Sequence, residues 1–181
     1  MTMYVAMLRG VNVSGRNKLA MEDLRAVVTA AGGSEVRTYI QSGNAVFHSR
    51  RSVPALVGAL ETALERLVGS NVPVLVRTRQ ELEAVLDTNP FVPRVAEPKA
   101  LHVTFMGAVP GAAAAASVVD AVRGRGEADD LEVIGREVYL LCPNGYGNTK
   151  LTNAFFERRL GSSATTRNWA TVTKLVELAR C

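Results

Sequence analysis

Arg9, Arg16 and Lys18 fall within ten residues that contain no acid, around two glycines spaced G-x-x-x-x-G, Gly10 to Gly15. Such a turn after an apolar run offers backbone N–H groups to an anion, and the cations add charge. It departs from a nucleotide-hydrolysing loop where that chemistry sits. Arg16 stands in place of the phosphate-reaching Lys and Asn17 in place of the magnesium-ligating Ser or Thr. Two further stretches have hydrogen-bonding potential. One is Gln41, Ser42 and Asn44, which also suits plain turn chemistry. The other is Pro143–Asn148 with Lys150, followed by Thr165, Thr166, Arg167 and Asn168, where Thr165, Thr166 or Asn168 equally suits the cap of a final helix. Catalytic groups are harder to find. His48 and His102 have no acid or nucleophile close in sequence, so a Ser-His-Asp or Cys-His arrangement has no support. Glu22 and Glu157 are carboxylates on helices near the loops. Cys142, inside a strand, reads as a small buried hydrophobe, and Trp169 as a core anchor.

The elements that must hold these residues are legible from periodicity. Met3–Leu8 is a short buried strand, and Met21, Leu24, Val27, Val28 and Ala31 recur at helical spacing before Gly32-Gly33. Residues 35–41 and 44–48 pair as a hairpin around a two-residue turn, Ser42-Gly43. Ser52 opens a helix with the stripe Leu56, Leu60, Leu64 and Leu67 and a stop at Gly69, and Val72–Arg77 is the next strand. The order β-α-β-β-α-β is the split β-α-β, ferredoxin-like pattern. Its first strand's end and its hairpin lie at one edge of the sheet, which brings Arg9, Asn12, Asn17 and Lys18 towards Gln41, Ser42 and Asn44.

Thr78-Arg-Gln-Glu81 is a capping box for a short helix to Leu86. Asp87–Pro98 has three prolines and no periodicity, and it reads as a linker between subdomains 1–86 and 99–181. The cycle then restarts. Leu101, Val103 and Phe105 alternate with polar residues as a one-sided strand, an Ala-rich helix runs to Val122, and Leu131–Ile134 pairs with Glu137–Leu141. Helices over 149–160 and 168–179 end the chain, the first with Lys150 in its first turn, where the helix dipole disfavours a cation. The fold class is therefore α+β, with two ferredoxin-like subdomains, the second ending in two C-terminal helices.

Composition narrows the function classes. The chain has 181 residues, 48% of them apolar, enough for a core without disulfides. A four-ligand zinc site would need His48, His102, Cys142 and Cys181 together, so neither metal nor cofactor is expected. The N-terminus has no secretory pattern and no stretch reaches membrane-spanning length, which implies a cytoplasmic protein without a membrane partner. The whole net charge of +4 falls in residues 148–181, with 6 basic and 2 acidic side chains, while residues 1–147 balance at 15 each.

YVAMLRGVNVSGRNKLAMEDLR, VRTYIQSGNAVF, REVYLLCPNGYGNTKL and ATTRNWATVTKL together resemble the bacterial family called domain of unknown function 1697. The family often has Gly at Ser14, Lys at Arg16 and Asn at Ala170. The resemblance implies two ferredoxin-like α+β units and no particular activity. It also marks Arg9, Asn12, Asn17, Lys18, Gln41, Ser42, Asn44, Lys150, Thr166, Arg167 and Asn168 as motif positions. Three readings stand at this point. The first is a non-catalytic module binding an anionic ligand, nucleic acid or nucleotide-like phosphate. The second is an enzyme acting on a small phosphorylated or carboxylated substrate. The third is an interaction module, such as a homo-oligomer, pairing through a sheet edge.

Overall fold

A computed structural model describes residues 1–13 and 15–181 in two units, Met1–Glu83 with Lys174–Cys181, and Ala84–Thr173. In the first, strand β1 (Thr2–Leu8) leads to helix α1 (Met21–Ala30), strands β2 (Ser34–Tyr39) and β3 (Asn44–Ser49), helix α2 (Val53–Val68) and strand β4 (Val74–Thr78). Helix α3 (Arg79–Thr88) follows without a break. The second repeats the series as β5 (Leu101–Met106), α4 (Ala112–Arg123), β6 (Asp130–Ile134), β7 (Glu137–Leu141), α5 (Asn153–Leu160) and β8 (Ala164–Asn168), and the last helix, α6 (Trp169–Arg180), begins in the second unit and belongs to the first from Lys174 onward. The sheets are ordered β2-β3-β1-β4 and β6-β7-β5-β8, antiparallel throughout, the arrangement of two split β-α-β units.

In the first unit α1 and α2 set Leu24, Val28, Leu56, Leu60 and Leu64 against Tyr4, Ala6, Leu8, Phe47, Val74 and Val76 of the sheet. In the second, Val118 and Val122 of α4 and Phe155, Phe156 and Leu160 of α5 cover Met106, Val138, Leu140 and Ala164. The helix ends follow local chemistry. Thr78 and Glu81 close the capping box reciprocally, the Thr78 N–H donating to Glu81 Oε2 at 2.7 Å and the Glu81 N–H to Thr78 Oγ1 at 3.2 Å. Gly69 and Gly161 end α2 and α5 in the left-handed conformation.

Four local expectations change. The β2–β3 connection holds four residues, because Tyr39 pairs with Asn44 and the turn spans residues 40–43. Helix α5 starts at Asn153, capped by Thr152, and Tyr146–Asn148 is a separate 3₁₀ turn, so Lys150 lies outside the helix and its dipole. Residues 164–168 form a strand between the last two helices, since the free side of β5 supplies a ladder that local propensity does not announce. Strand β5 is buried along its whole length, so its polar face is covered as well as its apolar one.

The repeat reaches single side chains. Arg77 lies opposite Val5 across β4 and β1, and Arg167 opposite Val103 across β8 and β5. Both arginines are buried, and each Nη1 donates to the carbonyl of the preceding residue, Val76 at 3.1 Å and Thr166 at 2.9 Å.

Gly43 fixes how the hairpin meets the end of β1. Its φ is +78°, its carbonyl accepts the Leu8 N–H at 2.8 Å, and a Cβ there would stand 2.5 Å from Val11 Cγ2 and 2.9 Å from Leu8 Cβ. Gly15, at φ +76°, has open space around it. Gly15→Ala is expected to cost about 1 kcal/mol, the conformational penalty alone, and Gly43→Ala about 2 kcal/mol or more, read from urea midpoints.

Candidate functional site

At the C-terminal end of β1, the hairpin loop and the Gly10–Lys18 loop are tied together by side-chain amides. Asn12, at φ +55°, donates from Nδ2 to the carbonyls of Leu19 and Gln41, both at 2.8 Å, and its Oδ1 accepts the Leu19 N–H at 2.9 Å. With Leu19 it pairs in both directions, as a peptide does in a ladder. Asn17, at φ +47°, donates to the Gly10 carbonyl at 3.1 Å and accepts from Ser70 Oγ at 2.6 Å. Between them the Asn12 N–H meets the Asn17 carbonyl at 3.1 Å, and the Arg16 N–H meets the Val13 carbonyl at 3.0 Å. Asn44 is buried and donates to the Tyr39 carbonyl and Ser42 Oγ, each at 3.0 Å. The three asparagines hold the loops in shape.

The same edge exposes other groups. Arg16, Lys18 and the Gln41 side chain are exposed, Arg9 is half-buried, and neither Arg16 nor Lys18 forms an ion pair among the described residues. Val13 is 58% exposed and Ile40 47%. Ile40 sits at φ +50°, a conformation that costs a β-branched residue more than any other.

The C-terminal motif residues lie in the second unit with different surroundings. Lys150 Nζ donates to Glu127 Oε1 at 2.7 Å, and this hydrogen bond holds the Glu127 carboxyl below its usual range. Arg167 is buried, donates also to Thr165 Oγ1 at 2.8 Å, and is pushed down to about 10 by desolvation. Asn168 Oδ1 accepts the Thr171 N–H at 2.8 Å and so caps α6. Of the six basic residues in 148–181, two besides Lys150 meet carboxylates, Lys174 with Glu177 at 2.9 Å and Arg180 with Glu83 at 2.8 Å.

Thr166 belongs to a polar layer that sequence reasoning missed. It donates to Asn153 Oδ1 at 2.7 Å, which leaves the Thr104 hydroxyl to donate to Thr166 Oγ1 at 2.7 Å. Next along β5 is His102, opposite Asn168 and stacked on Tyr146 with ring centroids 4.8 Å apart. Its enclosed Nδ1 has no hydrogen bond of good geometry, and burial pushes the imidazole pKa below the ordinary value, partly opposed by the Ala100 carbonyl. The corresponding pairs in the first unit are Tyr4 with Thr78 and Ala6 with Val76. The available signal was a polar alternation in the central strand of the second unit where the first has an apolar run.

The family described as "Protein of unknown function (DUF1697)" matches residues 1–139. The chain belongs to this family. The match includes the Gly10–Lys18 loop and the hairpin, while Lys150 and Thr166–Asn168 lie beyond it. Among solved structures, the chain is similar to the conserved bacterial protein SP0830 from Streptococcus pneumoniae, at 24% identity and a TM-score of 0.70 over 98% of each chain. That likeness supports the fold. No curated protein matches. Among the described residues no helix is long and apolar enough to cross a membrane.

Two measurements follow from this geometry. Asn12→Ala should cost about 1–3 kcal/mol by leaving three main-chain groups without their partner, and Asn12→Gly, which relieves the backbone at φ +55°, should lose less but still about 1 kcal/mol or more. Because the folded state holds His102 below its unfolded value of 6.5, the unfolded chain binds more protons as pH falls below about 7. The part of the stability due to this residue is present above that value and is lost as pH falls towards the lowered folded pKa. Urea midpoints in His102→Phe should therefore decline less between about pH 7 and pH 5 than in the wild type.

Proposed function

We propose that this protein is a non-catalytic binding module for an anionic ligand, nucleic acid or a nucleotide-like phosphate, engaged at the loop edge of the first unit. The observation that carries the reading is a pair of loops locked by Asn12 and Asn17 that presents Arg16 and Lys18 to solvent without ion pairs among the described residues. Cations held on a preformed backbone bind an anion at a lower ordering cost, since the loop need not be fixed on binding. The left-handed Ile40 supports it, since strain retained on an exposed loop calls for a compensating use. Val13 and Ile40 beside the cations favour a ligand with apolar surface next to its phosphates, as in nucleotides, over a bare phosphate.

Filter binding of single-stranded DNA and RNA, with a nucleoside phosphate as competitor, tests this reading. Retention is expected at about 50 mM salt, with log affinity falling linearly as log salt rises. Arg16→Ala and Lys18→Ala should each weaken binding across sequences and reduce the salt slope by about 1. No retention at low salt and no competition would overturn it.

A further inference from the structure

The second unit contains a cavity of about 440 Å³ walled by Pro98, Lys99, His102, Asn168, Trp169 and Ala170. It lies where the two units differ most. Helix α2 has 16 residues and α5 has 8, and the connection before α5 contains the 3₁₀ turn that stacks Tyr146 on His102. Two turns of helix that cover the first sheet have no counterpart over the His102 end of the second.

Two polar groups converge on this cavity with capacity to spare. His102 is only 8% exposed. Of its two ring nitrogens only Nδ1 is enclosed without a partner, which leaves Nε2 to the cavity, where a neutral imidazole protonated on Nδ1 offers an acceptor. Asn168, directly opposite on β8, uses Oδ1 for its cap, which leaves the Nδ2 donor. Glu97 and Lys99, both on the lining, pair with each other at 2.7 Å, so the site carries no net charge. The walls offer a proline ring, an indole and an aliphatic stem, surfaces suited to a flat ring.

We propose that this cavity binds a planar, uncharged heteroaromatic ring of nucleobase size, whose adjacent acceptor and donor pair with Asn168 Nδ2 and His102 Nε2. The ring lies against Trp169. Any ring with a neighbouring carbonyl or ring nitrogen and N–H satisfies the pair, so the site recognises the class and not one base. The site is separate from the cationic loops of the first unit and does not depend on their proposed role.

Trp169 is the only tryptophan in the chain and reports the site directly. Its emission is followed on the intact protein during titration with adenosine and cytidine, with purine riboside, which lacks the exocyclic amine, and with toluene as an apolar ring. Saturable changes are expected with adenosine and cytidine, at least about tenfold weaker binding of purine riboside, and weaker binding still of toluene. Asn168→Asp keeps the helix cap but removes the donor. His102→Phe keeps the stack on Tyr146 but removes the acceptor. Each should weaken adenosine by about tenfold or more. Ala170→Phe, at an exposed position on α6, should fill the cavity and abolish the response while the unfolding midpoint holds. Arg16→Ala and Lys18→Ala should leave the response unchanged, which separates failure here from failure of the anion-binding reading. A single-stranded oligonucleotide that binds more tightly than its nucleosides would identify nucleic acid as the source of the ring, and binding of nucleosides alone would identify a free small molecule. No saturable response to either nucleoside, equal binding of toluene, or indifference to both Asn168→Asp and His102→Phe would overturn the proposal.

Discussion

A polar atom on a strand buried on both faces has no water to turn to, and most of what separates the two units follows from where such atoms lie. The central strands, β1 from Tyr4 onward and all of β5, are enclosed in this way. The helix side of the first sheet carries Ala6, Leu8, Val74 and Val76, and packing alone satisfies them. The corresponding side of the second carries His102, Thr104 and Thr166. An unpartnered buried hydroxyl costs about 1–3 kcal/mol, so Thr104, Thr166 and Asn153 are linked in one chain of donors. His102 is the member of the layer whose enclosed nitrogen has no such partner.

The same rule governs the opposite sheet faces. Arg77 and Arg167 occupy matching registers and solve part of the problem the same way, by donating to the carbonyl one residue back. A guanidinium has five donors in a fixed fork and cannot shed its charge at neutral pH, so its cationic form has to be held by fixed polar groups. Arg167, one of the candidate ligand residues, donates within the β8 strand, to Thr165 Oγ1 and the Thr166 carbonyl. Lys150, another candidate, has Glu127, distant in sequence, beside it.

Much of the fold is legible because it is local. Helical spacing, the Thr78–Glu81 capping box and the left-handed glycines after α2 and α5 are decided within a few residues and stand as read. The hairpin is legible as a hairpin but not in its turn length, because Ile40 enters a conformation that its own side chain disfavours. Strand β8 escaped detection because Ala-Thr-Thr-Arg-Asn has neither an apolar run nor an alternation. Its extended state depends on hydrogen bonds to β5, more than fifty residues earlier.

The candidate loops divide along the same line. The sequence alone determined that polar and basic residues gather at one edge of the first sheet, since element order fixes which ends of an antiparallel sheet come together. Only the tertiary structure decided which of them hold the loop and which face solvent. Asn12, Asn17 and Asn44 have the same side chain that a ligand-binding asparagine would have, and what ties them into the loops is the position of the Gln41 and Tyr39 carbonyls and the Ser70 hydroxyl. Hydrogen bonds reach about 3 Å, and sequence separation says nothing of which groups come that close.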